Sequence, residues 1–215
     1  MVGAIALVLA LAQVVLPRIA ASRIRARVGK YGTVESVSVT AWPAVKLLWG
    51  SADSVTVSAK SLRISPAQTA KLLWEARGVN DMELTAPSAR EGQLGLSDVS
   101  FAKHGKALSA HARMTAADVT AALPTGFDVQ LVKSEGGEVE VRASGGLFGI
   151  GAAVDAVASA HEGKLIVRPR GLLLEGLQLT LFSAPHIYVE SVSASAVTGP
   201  AGGSTYRMAM LASLR

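Results

Sequence analysis

From Val34 onward the chain alternates apolar and polar residues in short runs, and this period of two constrains the fold more than any other feature. Val37, Val39 and Ala41 alternate with Ser36, Ser38 and Thr40, as in a strand with one buried face. Val55, Val57 and Ala59 repeat the pattern against Ser54, Thr56 and Ser58. Phe127, Val129 and Leu131 face Asp128 and Gln130; Val139, Val141 and Ala143 face Glu138, Glu140 and Arg142. Glu135-Gly136-Gly137-Glu138 joins these last two runs as a hairpin turn, since paired glycines accept the positive φ that tight turns need. Further strands are expected at about 93–101, 105–114, 150–160, 163–168, 171–182, 186–197 and 204–213.

Several of these runs change phase midway. Val57 and Ala59 give way to Leu62 and Ile64, and Ile187 and Val189 to Val192, Ala194 and Ala196. Leu172 and Leu174 give way to Leu177, Leu179 and Leu181 across Glu175-Gly176. One inserted residue moves every later side chain to the opposite face, so each slip predicts a β-bulge or bend. Three short helices punctuate the strands. Pro43 to Trp49 is apolar nearly all round and stops at Gly50; a second opens at Ser65-Pro66 and ends at Gly78; Thr115 with Asp118 caps a third, which reaches Leu123-Pro124. The expected architecture is α+β: a strongly curled antiparallel sheet wrapped around a few short helices. Nothing in 31–215 marks a linker or a repeat, so those residues form one domain.

The N-terminus differs in kind. Val2 to Leu16 is apolar except for Gln13 and ends at Pro17-Arg18. Fifteen helical residues span about 22 Å, short of a hydrocarbon core of roughly 30 Å. Residues 1–30 are therefore expected to act as a signal or short anchor with a basic flank. That flank is Arg18, Arg23, Arg25, Arg27 and Lys30, with no acid among residues 1–34. These five account for the whole formal net charge of +5, so the remaining residues balance. A nucleic-acid binder carries its basic stripe on the folded domain. A basic cluster beside an apolar run instead fits an anionic membrane surface, and no nucleic-acid partner is expected. The preference of arginine for the inner side of an uncleaved anchor would place the body at the cytoplasmic face, the alternative to an extracytoplasmic one.

Half of the chain is apolar but only 5% is aromatic, so its apolar surface is aliphatic and suits a dry core or an acyl-chain groove equally. Reactive chemistry is sparse. There is no cysteine, hence no thiolate nucleophile, thiolate metal site or disulfide. His104, His111, His161 and His186 lack the spacing of metal ligands. The glycine-rich run Gly145 to Gly151 lacks the lysine ending of a phosphate loop and reads as a strand entry whose Leu147 and Phe148 touch lipid. No serine stands on a Gly-x-Ser-x-Gly elbow, and Glu135, Glu138 and Glu140 read as a solvated hairpin face. Convergent titratable groups are not visible, so no enzyme, cofactor or metal is expected.

The order of certain segments resembles a known family. Ser38-Val39-Thr40-Ala41-Trp42-Pro43, then Leu47-Leu48-Trp49-Gly50 and Asp53-Ser54-Val55-Thr56-Val57, resembles the opening of the LmeA-like phospholipid-binding family of bacterial envelope proteins. Ala112 to Leu123 and Ala184-Pro185-His186-Ile187-Tyr188-Val189 resemble two later landmarks. The resemblance implies an extracytoplasmic body related to tubular lipid-binding domains, with a phospholipid or glycolipid as partner. Trp42, Leu47, Leu48 and Trp49, an apolar helix bracketed by tryptophans, are candidate groove residues together with Leu147, Phe148, Leu181, Phe182 and Ile187. The second reading is a structural envelope adaptor whose apolar face packs a protein partner.

Overall fold

A computed structural model describes residues 2–91, 94–121, 127–147, 150–171, 178–198 and 204–215. Its elements are α1 (Val2–Val28), β1 (Gly32–Thr40), a 3-10 turn (Ala44–Trp49), β2 (Ala52–Arg63), α2 (Pro66–Glu75), β3 (Val79–Glu91), β4 (Leu94–His104), β5 (Ala107–Thr115) and α3 (Ala116–Ala121). There follow β6 (Phe127–Glu135), β7 (Glu138–Leu147), β8 (Ile150–His161), β9 (Lys164–Pro169), β10 (Leu179–Phe182), β11 (Ile187–Thr198) and β12 (Ser204–Leu214). The first sheet has the order β1-β2-β3-β4-β5-β12-β11, and the second β10-β9-β8-β7-β6. The architecture is mostly strand with a few helices, as the α+β expectation required.

The turn and cap signals act as their chemistry dictates. Gly136 and Gly137 both take positive φ in the β6–β7 hairpin, which only glycine does without strain. Ser65 and Gln68 form a capping box at the start of α2, with Pro66 in the first turn where its missing N–H costs nothing. Thr115 and Asp118 bond reciprocally at the start of α3.

Two of the phase slips are bulges. Between β11 and β12 the register passes from Val189↔Ala212 to Ser191↔Leu211, leaving Glu190 unmatched. Between β1 and β2 it passes from Thr33↔Ser61 to Val34↔Ala59, leaving Lys60 unmatched. Val55, Val57, Ala59 and then Leu62 are buried in consequence. The third slip, at 172–177, lies outside the described residues.

Four expectations need correction. Val79–Glu91 is a strand, which its Asn80-Asp81 start and internal Pro87 concealed. It pairs with β2 in parallel, the one parallel ladder among the described strands. A parallel return needs a crossover, and α2 supplies it. Helix α1 does not stop at Pro17 but runs through it to Val28. Pro17 removes only its own bond to the Gln13 carbonyl, and packing on the sheet holds the rest. Finally, neither sheet is strongly curled or closed. The β2–β3, β3–β4 and β5–β12 ladders keep unbroken register, so the bulges bend single strands without rolling the sheet.

The second sheet lies against the β11 side of the first. Val189 donates its N–H to the Gly163 carbonyl at 2.9 Å, and Ala194 donates to the Ser134 hydroxyl at 2.9 Å. Backbone groups at the free edge of β11 thus find partners in the second sheet.

Candidate lipid-binding site

Strand register sorts the first sheet into an apolar and a polar face. Val57, Leu84, Phe101, Ala110, Met210 and Val192 stand side by side across six strands. The parallel row holds Val55, Met82, Lys103, Leu108, Ala212 and Val189. On the opposite face Ser58, Thr85, Ser100, His111, Ala209 and Ser193 form a mostly polar row. Such a sheet must cover its apolar face or leave it to a ligand.

The cover is incomplete. Ala20, Ala21, Ile24 and Val28 of α1 lie over Val39, Val55 and Val57 on one flank. Val139, Leu131 and Val141 of the second sheet lie over Val189, Val192 and Ala194 on the other. Leu73 and Ala70 of α2 close one end against Leu108, Ala212 and Leu214. Between these walls Leu84, Val99, Phe101, Ala110 and Ala112 of the central strands β3–β5 remain half-buried, whereas Ala86, Lys103 and Leu108 on the same face are buried. Leu84, Val99 and Phe101 touch the edges of the covered clusters, so the cover thins over this part of the face. Three strands at the usual spacing give a patch about 10 Å wide, and Ala110 to Met114 spans about 14 Å along it. The result is a partly covered aliphatic patch, the candidate floor of a trough.

One charge enters this apolar face. Lys103 is buried, and its ammonium donates to the Val79 carbonyl. Burial pushes its pKa below the ordinary lysine value, with the Asp81 carboxylate opposing. A depression of about 440 Å³ beside Ile187 and Tyr188 is rimmed by Glu162, Lys164 and Arg215, whose guanidinium lies 3.5 Å over the Tyr188 ring. Among the described residues no group of three His, Asp or Glu converges as a metal site.

The residues singled out from the sequence separate into three places. Leu47 is half-buried in the cluster under α1. Ile187 is buried and Phe182 half-buried in the cluster that α2 closes, so both border the trough. Leu181 is 49% exposed. Leu147 is the last residue of β7, and Phe148 lies outside the described residues. Trp42, Leu48 and Trp49 stand on the outer surface at 76%, 67% and 74% exposure. Of the basic cluster, Arg25 donates to the Glu35 carbonyl at 2.8 Å and Arg27 pairs with Glu75 at 2.6 Å. Arg18, Arg23 and Lys30 are exposed and make no ion pair among the described residues. The floor itself went unread, because its row becomes visible only once β3 is a strand.

A model of the LmeA-like phospholipid-binding family matches residues 8–201, most of the chain. The chain belongs to that family. This LmeA-like protein therefore carries a family description that names phospholipid as ligand. Comparisons with curated proteins and with solved structures gave no match. Among the described residues, no helix of this LmeA-like protein is long and apolar enough to cross a membrane.

Proposed function

We propose that this protein binds or carries a phospholipid or glycolipid at the bacterial cell envelope, holding its acyl chains on the β3–β5 floor and catalysing no reaction on it. The observation that carries this reading is the half-buried apolar centre of a sheet whose flanks are both covered. Apolar surface left open in the middle of a sheet is unfavourable at about 25 cal/mol per Å², and an acyl chain removes it from water. The likeness to tubular lipid-binding domains belongs to this proposal: α1 and the second sheet act as the walls that a curled sheet would otherwise supply. The body works outside the cytoplasm, with Arg18, Arg23 and Lys30 facing an anionic membrane surface.

Native mass spectrometry of the purified full chain, with Ala110→Trp beside it, tests the reading. Ala110 stands on the floor between Phe101 and Met210. In an open trough an indole fits and displaces lipid, so co-purified lipid mass disappears while Tm hardly moves. In a packed core the same overpacking costs about 1–3 kcal/mol. A lowered Tm with lipid still bound would refute the proposal.

A further inference from the structure

Trp42, Leu48 and Trp49 are too exposed to line the trough, yet the loop that carries them is firmly built. Ala44 is almost fully buried beneath it. The Gln13 side chain of α1 donates to the Ala41 carbonyl and accepts the Ala44 N–H, each at 2.8 Å. Asp53 accepts the Trp42 N–H at 2.6 Å and pairs with Lys46. Four polar contacts and one buried alanine thus hold two indoles and a leucine in water, where a tryptophan leaves some 150–250 Å² of ring surface unpartnered. A surface that size, kept in place by polar bonds, needs a partner.

We infer that this loop is a membrane-docking tip, seated in the headgroup layer of an anionic bilayer. The Gln13 clamp fixes the tip to one level of α1. From that level α1 continues for eleven residues, Val2 to Ala12, all apolar or glycine. It therefore extends at least about 16 Å past the tip, a depth that reaches hydrocarbon. Val14, Val15 and Ile19 are exposed on the helix beside the tip. On the other side of the clamp the chain turns cationic: Arg18 and Arg23 lie about 7 and 15 Å further along α1. Apolar helix, tryptophans and arginines follow one another in the order that acyl chains, interface and anionic headgroups require. A protein partner would explain the tryptophans but not this gradient.

The test uses the full chain with vesicles of phosphatidylglycerol and phosphatidylcholine. Trp42→Phe with Trp74→Phe leaves Trp49 as reporter. Trp42→Phe with Trp49→Phe leaves Trp74, which stacks on His186 at 3.7 Å and serves as the reference. On vesicle binding, Trp49 emission shifts to the blue, is quenched by brominated acyl chains and becomes shielded from iodide, while Trp74 stays unchanged. Trp42→Ser with Trp49→Ser lowers vesicle partitioning by at least about tenfold and leaves co-purified lipid untouched. Failure to bind these vesicles, a Trp49 still open to iodide on them, or unchanged partitioning of the serine variant overturns the inference. Since lipid in the trough is read separately, loss of the docking tip and loss of the lipid-binding proposal remain distinguishable.

Discussion

Lys103 stands between Met82 and Leu108 on the apolar face, and its ammonium has one carbonyl for a partner. Its pKa in the folded chain lies below the unfolded value, because burial disfavours the charged form. Between those two values the unfolded chain binds more protons, so stability from this group rises with pH toward the ordinary lysine range. Below the folded value the cost of the buried charge is fully present. Lys103→Met is expected to remove that alkaline rise, and denaturation midpoints compared across pH 7–10 for both chains measure it. Parallel profiles would deny the burial. Gln13 offers a second residue-scale prediction. Gln13→Leu keeps the helix but strips both bonds to the Ala41–Ala44 segment, and leaving those backbone groups unpaired should cost about 1–3 kcal/mol in chemical denaturation. Residue types were readable at this scale; their exposure was not. Composition put two tryptophans on an apolar segment, but Trp42 and Trp49 face outward because Gln13 and Asp53, distant in sequence, hold the loop that way. Nor could Ala110 and Ala112 announce a floor, since small residues show their role only when a strand partner and a missing cover are both known.

Among the elements, β11 was the most legible. The move from Ile187 and Val189 to Val192 and Ala194 needs one extra residue, and Glu190 is that residue. Deleting Glu190 would turn Val192 and Ala194 to the solvent face and empty the cluster they form with Val139. The deletion is therefore expected to abolish cooperative unfolding, whereas Glu190→Ala, which keeps the count, should stay within about 0.5 kcal/mol of the parent. Circular dichroism melts of the two variants decide it, and a normally folded deletion would mean that the bulge does not set the register. Two elements were hidden for definable reasons. Strand β3 alternates Met82, Leu84 and Ala86 correctly, but its Pro87 and its polar start mimic a loop. Helix α1 passes Pro17 because tertiary packing of Ala20, Ala21, Ile24 and Val28 outweighs one missing hydrogen bond. Capping chemistry at Ser65 and Thr115 needed no tertiary help and was read correctly.

At the scale of the whole molecule, alternation announced a one-sided sheet but not what would lie on it. Concavity arises here from three covers on one broad face: α1 on β1 and β2, the second sheet on β11, and α2 at one end. That arrangement is set by contacts between segments apart in sequence, from Ala20 against Val55 to Val139 against Val189 and Leu73 against Leu214, which no local pattern encodes. On the proposed reading it also divides the labour, with a lipid floor on β3–β5 and a separate tip at Trp42 and Trp49. The most direct measurement is photolabelling of the full chain with a phospholipid bearing a diazirine at the end of one acyl chain, followed by peptide mapping of the adducts. Adducts concentrated on Leu84, Val99, Phe101, Ala110 and Ala112, and lost in Ala110→Trp, are the predicted result. Adducts confined to the surface loop around Trp42 and Trp49, with the floor unlabelled, would contradict it.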